Sequence, residues 1–403
     1  MSGNNSSNSP RRLGIGTTYR DPVHRHVDAA SGREITQLTD YRGHSFQFYF
    51  THPCWLDSGA FLFTSDRANH RDLFRRDPGG SVSQLTDSSR KPIRAACLSP
   101  ETEKVYFWSG IQLCELNLGT LTSRVLCEVP KPMRGERPSV AAGGQALYVQ
   151  LYEAHPADLT TRYGPPTDGG SRSRFDRQPL SQIVRIELDS GDVEVLHEDH
   201  RYISHVNASP TRPNLVTFCH EGPWELVDQR IWCVDTNTKS VTPIRPQNGE
   251  FSVVAEHWLS DGERIGFRSH KRSAGDTRFG YIRYDNVEHV EAELGAYSRH
   301  FHSHDGSLVV GDGSPIYPLP SVAKPSVTWP YILLYPWEGD RYGDPRILAE
   351  HGSSFNGDHA HCHPRFTLDG QQVMYTSDTS GYANIYLVDV GDLDELPVLR
   401  IED

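Results

Sequence analysis

A chain of 403 residues with 36 % apolar and 10 % aromatic residues can bury a large core, and no apolar run approaches the ~18 residues of a membrane-spanning helix. A formal net charge of −12 argues against nucleic acid as a partner, though an acidic sugar stays admissible if its pocket is positive. Abundant Gly (34) and Pro (27) beside 3 Met favour many short strands and turns over long helices.

The first segment, Met1 to about Arg12, is polar and lacks the apolar stretch of a secretory signal. It is expected to be a disordered tail, with residues 13–403 forming one domain. The phrase Glu34-Ile-Thr-Gln-Leu-Thr-Asp40 then appears, and it recurs in part as Gln84-Leu-Thr-Asp87. Between the two runs Trp55-Leu-Asp-Ser-Gly59, Phe61-Leu-Phe-Thr-Ser-Asp66 and Asp72-Leu-Phe: a turn, a strand, a second strand.

The strand after the turn returns at Val105–Trp108, Ala146–Val149, Leu215–Phe218, Ile265–Arg268, Leu308–Gly311 and Val373–Asp378. Seven units at this spacing predict an all-β, seven-bladed β-propeller of four-stranded blades. Two longer spacings hold insertions read as loops, at about 155–178 and 313–330. Because the Glu34–Asp40 phrase precedes the first unit, it is expected to supply the outer strand of the last blade and so close the ring.

Seven cysteines show no C-x-x-C pair. An odd count without a signal peptide suggests reduced thiols and a cytoplasmic location. Seven of the 20 histidines fall in two stretches, His300-Phe301-His302-Ser303-His304 and His351 with His359-Ala360-His361-Cys362-His363. Neutral imidazole is the commonest protein ligand for divalent transition metals, and an H-x-H triplet on a strand points both rings to one face. The two stretches precede the second strands of units six and seven, so adjacent blades can share one ion. Solvated His-rich loops are the plainer alternative.

From Asp28 to Asp389 the sequence resembles the oligogalacturonate lyases, seven-bladed propellers that cleave short pectin fragments by β-elimination. The most specific stretch is Phe218-Cys-His-Glu-Gly-Pro-Trp-Glu-Leu-Val-Asp-Gln-Arg-Ile-Trp232. Asp28-Ala-Ala-Ser-Gly32, Asp305-Gly-Ser-Leu-Val-Val-Gly-Asp-Gly-Ser314 and His361-Cys-His-Pro-Arg-Phe366 also match. The resemblance implies a divalent cation, usually manganese, held by three histidines and a glutamine. His361 and His363 match the H-x-H pair. The third histidine falls at His300, with His302 as the alternative. Asp358 stands at the glutamine position, and a carboxylate suits manganese; His359 is the alternative if the local alignment slips.

The implied substrate is a small acidic oligosaccharide such as digalacturonate, and the implied product a 4-deoxy-5-keto uronate. Elimination removes the C5 proton beside a carboxylate, so the developing charge needs a cation and the proton needs a base. Arg230 matches the family's catalytic arginine; an ion pair with Asp228 or Glu221 is its structural alternative. The family's base histidine corresponds to Ala255, which cannot accept a proton. His257, two residues on and on the same face of a regular strand, is the expected replacement. A propeller that binds the acidic sugar without cleaving it is the competing reading. His205 and His220 are candidate substrate contacts; stabilising the Gly-Pro turn that follows is the alternative for His220 and Glu221, and Glu256 is a candidate orienting group with a solvated charge as its alternative. A peptidase-type propeller is disfavoured because no G-x-S-x-G elbow follows the last blade.

Overall fold

The computed structural model describes residues 14–89, 91, 93–156, 169–273, 276–313, 330–355 and 360–400. Seven antiparallel sheets of four or five strands follow one another along the chain as a seven-bladed propeller. Each expected strand after a turn is the second strand of its blade, from Phe61–Ser65 in blade 1 to Gln372–Ser377 in blade 7. Such strands lie between neighbouring blades and are buried on both faces, as Leu215–His220 is throughout. Outer strands meet water, and Thr122–Glu128 is largely exposed. This gradient explains why second strands read as continuous apolar runs and outer strands as charged ones.

The ring closes as the repeated phrase suggests. Glu34–Gln37 pairs antiparallel with Asn384–Asp389, with Ile35 opposite Val388 and Gln37 opposite Tyr386. His24–Val27 adds a fifth strand outside it. Asp28 caps the following turn by accepting from the backbone N–H groups of Ala30 and Ser31, and it also accepts from Glu350 in blade 6. The Asp28–Gly32 motif is thus a stitch between blades. A second anchor is Arg67, whose guanidinium clasps Asp21 through two 2.8 Å bonds with both side chains fully buried.

The two expected insertions differ. Within the first, residues 157–168 lie outside the described residues, but Gly169–Arg177 is a helix where a loop was expected. An Arg172–Asp176 pair one turn apart supports it, and Phe175 packs where a Cβ on Gly222 would otherwise sit. Residues 314–329 of the second, and the N-terminal tail, lie outside the described residues. All seven cysteines are free thiols, six of them buried. Among the described residues no helix is long and apolar enough to cross a membrane.

Several imidazoles are packed as neutral groups. Burial lowers His52 to about 3 and His257 and His351 to about 4. Their folded values lie below the unfolded value near 6.5, so the unfolded chain takes up these protons first. Stability is therefore fully present above about pH 6.5 and falls as the pH drops from there toward 4. Each ring contributes at most about 1.4 kcal/mol per pH unit in that window. Denaturant titrations at pH 7.5, 6 and 5 should show the midpoint falling at each step. A midpoint unchanged between 6.5 and 4.5 would contradict this account.

Candidate active site

The innermost strands share an irregularity that aims residues at the channel. In blade 5 Val254 faces Arg268 and His257 faces Gly266, so Ala255 and Glu256 together oppose Phe267 alone. Blade 4 does the same at His205 and Val206, and blade 2 at Ala95 and Ala96. The first residue of each bulge is left-handed: Ala95 (φ 55°), His205 (φ 49°) and Ala255 (φ 58°). His363 in blade 7 adopts the same conformation (φ 43°). A non-glycine residue in this region costs of order 1 kcal/mol or more, and such strain concentrates at functional sites.

Three histidines converge at the junction of blades 6 and 7. One ring nitrogen from each of His300, His361 and His363 lies within 4.8 Å of the others. Ring centroids are 4.2 Å apart for His300 and His363, and 5.3 and 5.5 Å for the pairs with His361. The Nδ1 of His300 meets Asp312 Oδ2 at 2.6 Å, while Asp312 Oδ1 accepts from the backbone N–H groups of Arg299 and His300. That contact fixes the ring's tautomer and leaves Nε2 for a ligand. Gln47 donates through Nε2 to the carbonyls of Cys362 and His363, holding the strained bulge from the neighbouring blade.

Burial, then the adjoining rings and guanidinium groups, hold His300 and His363 well below the ordinary histidine range. They are thus in the neutral form that ligates metals. A tri-imidazole set with a carboxylate behind one ring fits a divalent transition cation. Asp358 and His359, the sequence candidates for a further ligand, lie outside the described residues. His302 does not join the three: its ring stacks on His257 and its Nδ1 accepts the Phe366 N–H.

Tyr49 stands between this cluster and a polar group on blades 4 and 5. Its ring touches His363 (5.2 Å) on one side and His205 (5.5 Å) on the other, and Arg137 lies 4.3 Å over its face. Tyr49, His205, Arg137, Glu136 and Gln150 line one crevice. Behind His205, Glu221 Oε2 lies 3.4 Å from its Nε2. Glu221 in turn receives two bonds from Arg230 (3.0 and 3.3 Å), which also binds Glu256 at 2.9 Å. Burial alone would raise Glu221; the Arg230 charge and the His205 contact outweigh it and hold the carboxyl below its ordinary range. Cys219 also approaches His205 and Glu221, but burial raises its thiol well above the usual value and Arg230 already supplies the local cation.

Three further sequence candidates lie away from the crevice surface. His257 is buried between blades: Nδ1 lies 3.2 Å from the Ala255 carbonyl and Nε2 accepts the Ser303 N–H. The bulge at 255–256 breaks the simple alternation that would have put 255 and 257 on one face, so His257 does not take over the channel position. Arg230 is 4 % exposed, with its guanidinium committed to Glu221 and Glu256, while Asp228 pairs with Arg201. His220 wedges against Phe218 and Trp232 with Asp199 at 3.3 Å, away from the crevice. Sequence reasoning missed Tyr49, Arg137, Gln47 and Asp312. Only Asp312 carried a signal, as part of the matched Asp305–Ser314 stretch.

Fold and site together define a β-propeller with a three-histidine cluster where two blades meet. The chain belongs to the oligogalacturonate lyase family, whose sequence profile matches residues 15–393. An oligogalacturonide lyase of Pectobacterium atrosepticum is 27 % identical over 384 residues, covering 92 % of this chain and 96 % of its own. An oligogalacturonate lyase of Dickeya dadantii is 24 % identical over 381 residues, with the same coverage. The solved structure of an oligogalacturonate lyase in complex with manganese superposes with a TM-score of 0.82 at 22 % identity, covering 96 % of this chain and 99 % of that one. The oligogalacturonate lyase from Vibrio parahaemolyticus gives the same TM-score and identity, covering 94 % and 99 %.

Proposed function

We propose that this chain cleaves short oligogalacturonides, digalacturonate in particular, by metal-dependent β-elimination, releasing a 4-deoxy-5-keto uronate inside the cell. The observation that carries this is the convergence of His300, His361 and His363 within 4.8 Å in a chain of this family. These three would hold the cation, manganese in the first instance given the solved relative, with Asp358 as a further ligand. Bound there, a divalent ion offsets the negative charge that builds beside the C5 carboxylate as the proton leaves.

His205 takes the C5 proton. With its Nε2–H directed at Glu221, the neutral ring presents Nδ1 as the acceptor. Glu221 then steadies the imidazolium, and Arg230, clamped by Glu221 and Glu256, keeps that carboxylate in place. His205 is suited to this because its left-handed bulge position is the blade 4 counterpart of Ala255, the position the family's base occupies one blade away. Arg137, exposed and stacked on Tyr49, adds positive charge to the crevice for an acidic sugar.

Ala255 favours a second reading, a propeller that binds the acidic oligosaccharide without cleaving it. One assay separates the two. Digalacturonate with the manganese-loaded protein should give rising ultraviolet absorbance from the new C4–C5 double bond, followed by the keto product. A chelator should abolish the rise and added manganese restore it. Heat of binding without any absorbance change would establish the second reading instead.

A further inference from the structure

Arg268 lies on the second strand of blade 5 and is 1 % exposed, yet among the described residues it has no ion pair. Its Nη1 donates to the Ser298 carbonyl at 3.2 Å. Its Nε and Nη2 have no hydrogen-bond partner. These two atoms form one edge of the guanidinium, the edge that grips a carboxylate with two parallel bonds. At Arg124, Arg230 and Arg245 that same edge is filled by a carboxylate, from Glu115, Glu256 and Glu291 in turn. A buried cation left this way is costly, so a vacant carboxylate fork calls for an anion that the described residues do not supply.

The surroundings point to which anion. The Tyr297 hydroxyl, also buried and without a partner, belongs to a ring 5.3 Å from the guanidinium. Trp224 covers the guanidinium face at 4.6 Å. Both aromatic residues are only half-buried, so their side chains are the ones an entering ligand displaces. Ser298, which anchors Arg268, stands two residues before His300, so this group of side chains adjoins the histidine cluster along one short segment. An aromatic face, a hydroxyl donor and a bidentate cation together match a sugar ring bearing a carboxylate.

We propose that Arg268 and Tyr297 form a subsite for the carboxylate of a second uronate, next to the ring that sits at the three histidines. This rests on the reading of the chain as an acidic-sugar lyase. The subsite sets the preference for an oligomer over a single uronate, because only a chain of two or more rings reaches both places.

The test is steady-state kinetics on digalacturonate, with titration of digalacturonate and galacturonate into chelator-treated protein, for wild type, Arg268→Met, Arg268→Lys and Tyr297→Phe. Arg268→Met should raise KM more than tenfold with kcat within about threefold, and weaken digalacturonate binding as much while leaving galacturonate binding unchanged. Its melting temperature should stay level or rise, since a buried unpaired charge is removed. Arg268→Lys, which keeps the charge but loses the fork, should show the same KM rise and covers the case where the Met variant fails to fold. Tyr297→Phe should raise KM severalfold. An active wild type whose Arg268 variants keep KM within twofold would overturn the subsite alone. A wild type that neither binds nor cleaves digalacturonate would remove the lyase reading and this inference with it.

Discussion

Replacing His363 with alanine should empty the cation site and lower turnover by at least about a thousandfold, the loss expected when an ion's charge stabilisation is withdrawn. The effect is large because the three rings are pre-positioned. Asp312 fixes His300, Gln47 holds the backbone on either side of the Cys362–His363 bond, and His363 sits in a left-handed bulge that only this packing sustains. Two imidazoles cannot hold a divalent ion against a chelator as three can. Elemental analysis should fall from one equivalent of metal per chain to background, in step with the loss of absorbance rise on digalacturonate. The double variant His361→Ala/His363→Ala should do no worse than the single one, because the site acts as a unit. One full equivalent of metal retained by the double variant would show that these rings are not the ligands.

Alanine at His205 should act differently: metal content unchanged, kcat down by a factor of about 10² to 10⁴. The contrast with His257→Ala is the informative part. His257 has both nitrogens engaged inside the sheet, so its loss should lower the melting temperature and leave kcat nearly intact. Placing histidine at Ala255 in the His205→Ala background should recover part of the activity, because both positions are the left-handed residue of equivalent bulges. If His205→Ala turns over digalacturonate at the wild-type rate, the base lies elsewhere. If His257→Ala alone is inactive, the strand geometry has been misjudged.

The propeller was legible because its repeat is written in turn residues and in second strands buried on both faces, which no surface role can disguise. The closing strand was legible for the same reason: Gln37-Leu38-Thr39-Asp40 and Gln84-Leu85-Thr86-Asp87 are the same phrase in two blades. The metal histidines were visible as an H-x-H triplet beside a matched motif. What could not be read was direction. A strand written as Val253-Val254-Ala255-Glu256-His257 gives no sign that two residues share one opposing position, and that single slip turns His257 inward. Nor does sequence reveal partners from a neighbouring blade. Glu221 and Glu256 are separated along the chain by 35 positions yet meet on the one guanidinium of Arg230.

The strand at Glu34–Gln37 pairs with His24–Val27 on one side and with Asn384–Asp389 on the other. Blade 7 carries two of the three cation-binding rings, and its fourth strand comes from the opposite end of the polypeptide. During synthesis that early hairpin has only its local partner, His24–Val27, until Asn384–Asp389 leaves the ribosome. A nascent chain whose first six blades have folded is therefore still an open ring, and the circle is fastened only when the last blade is made.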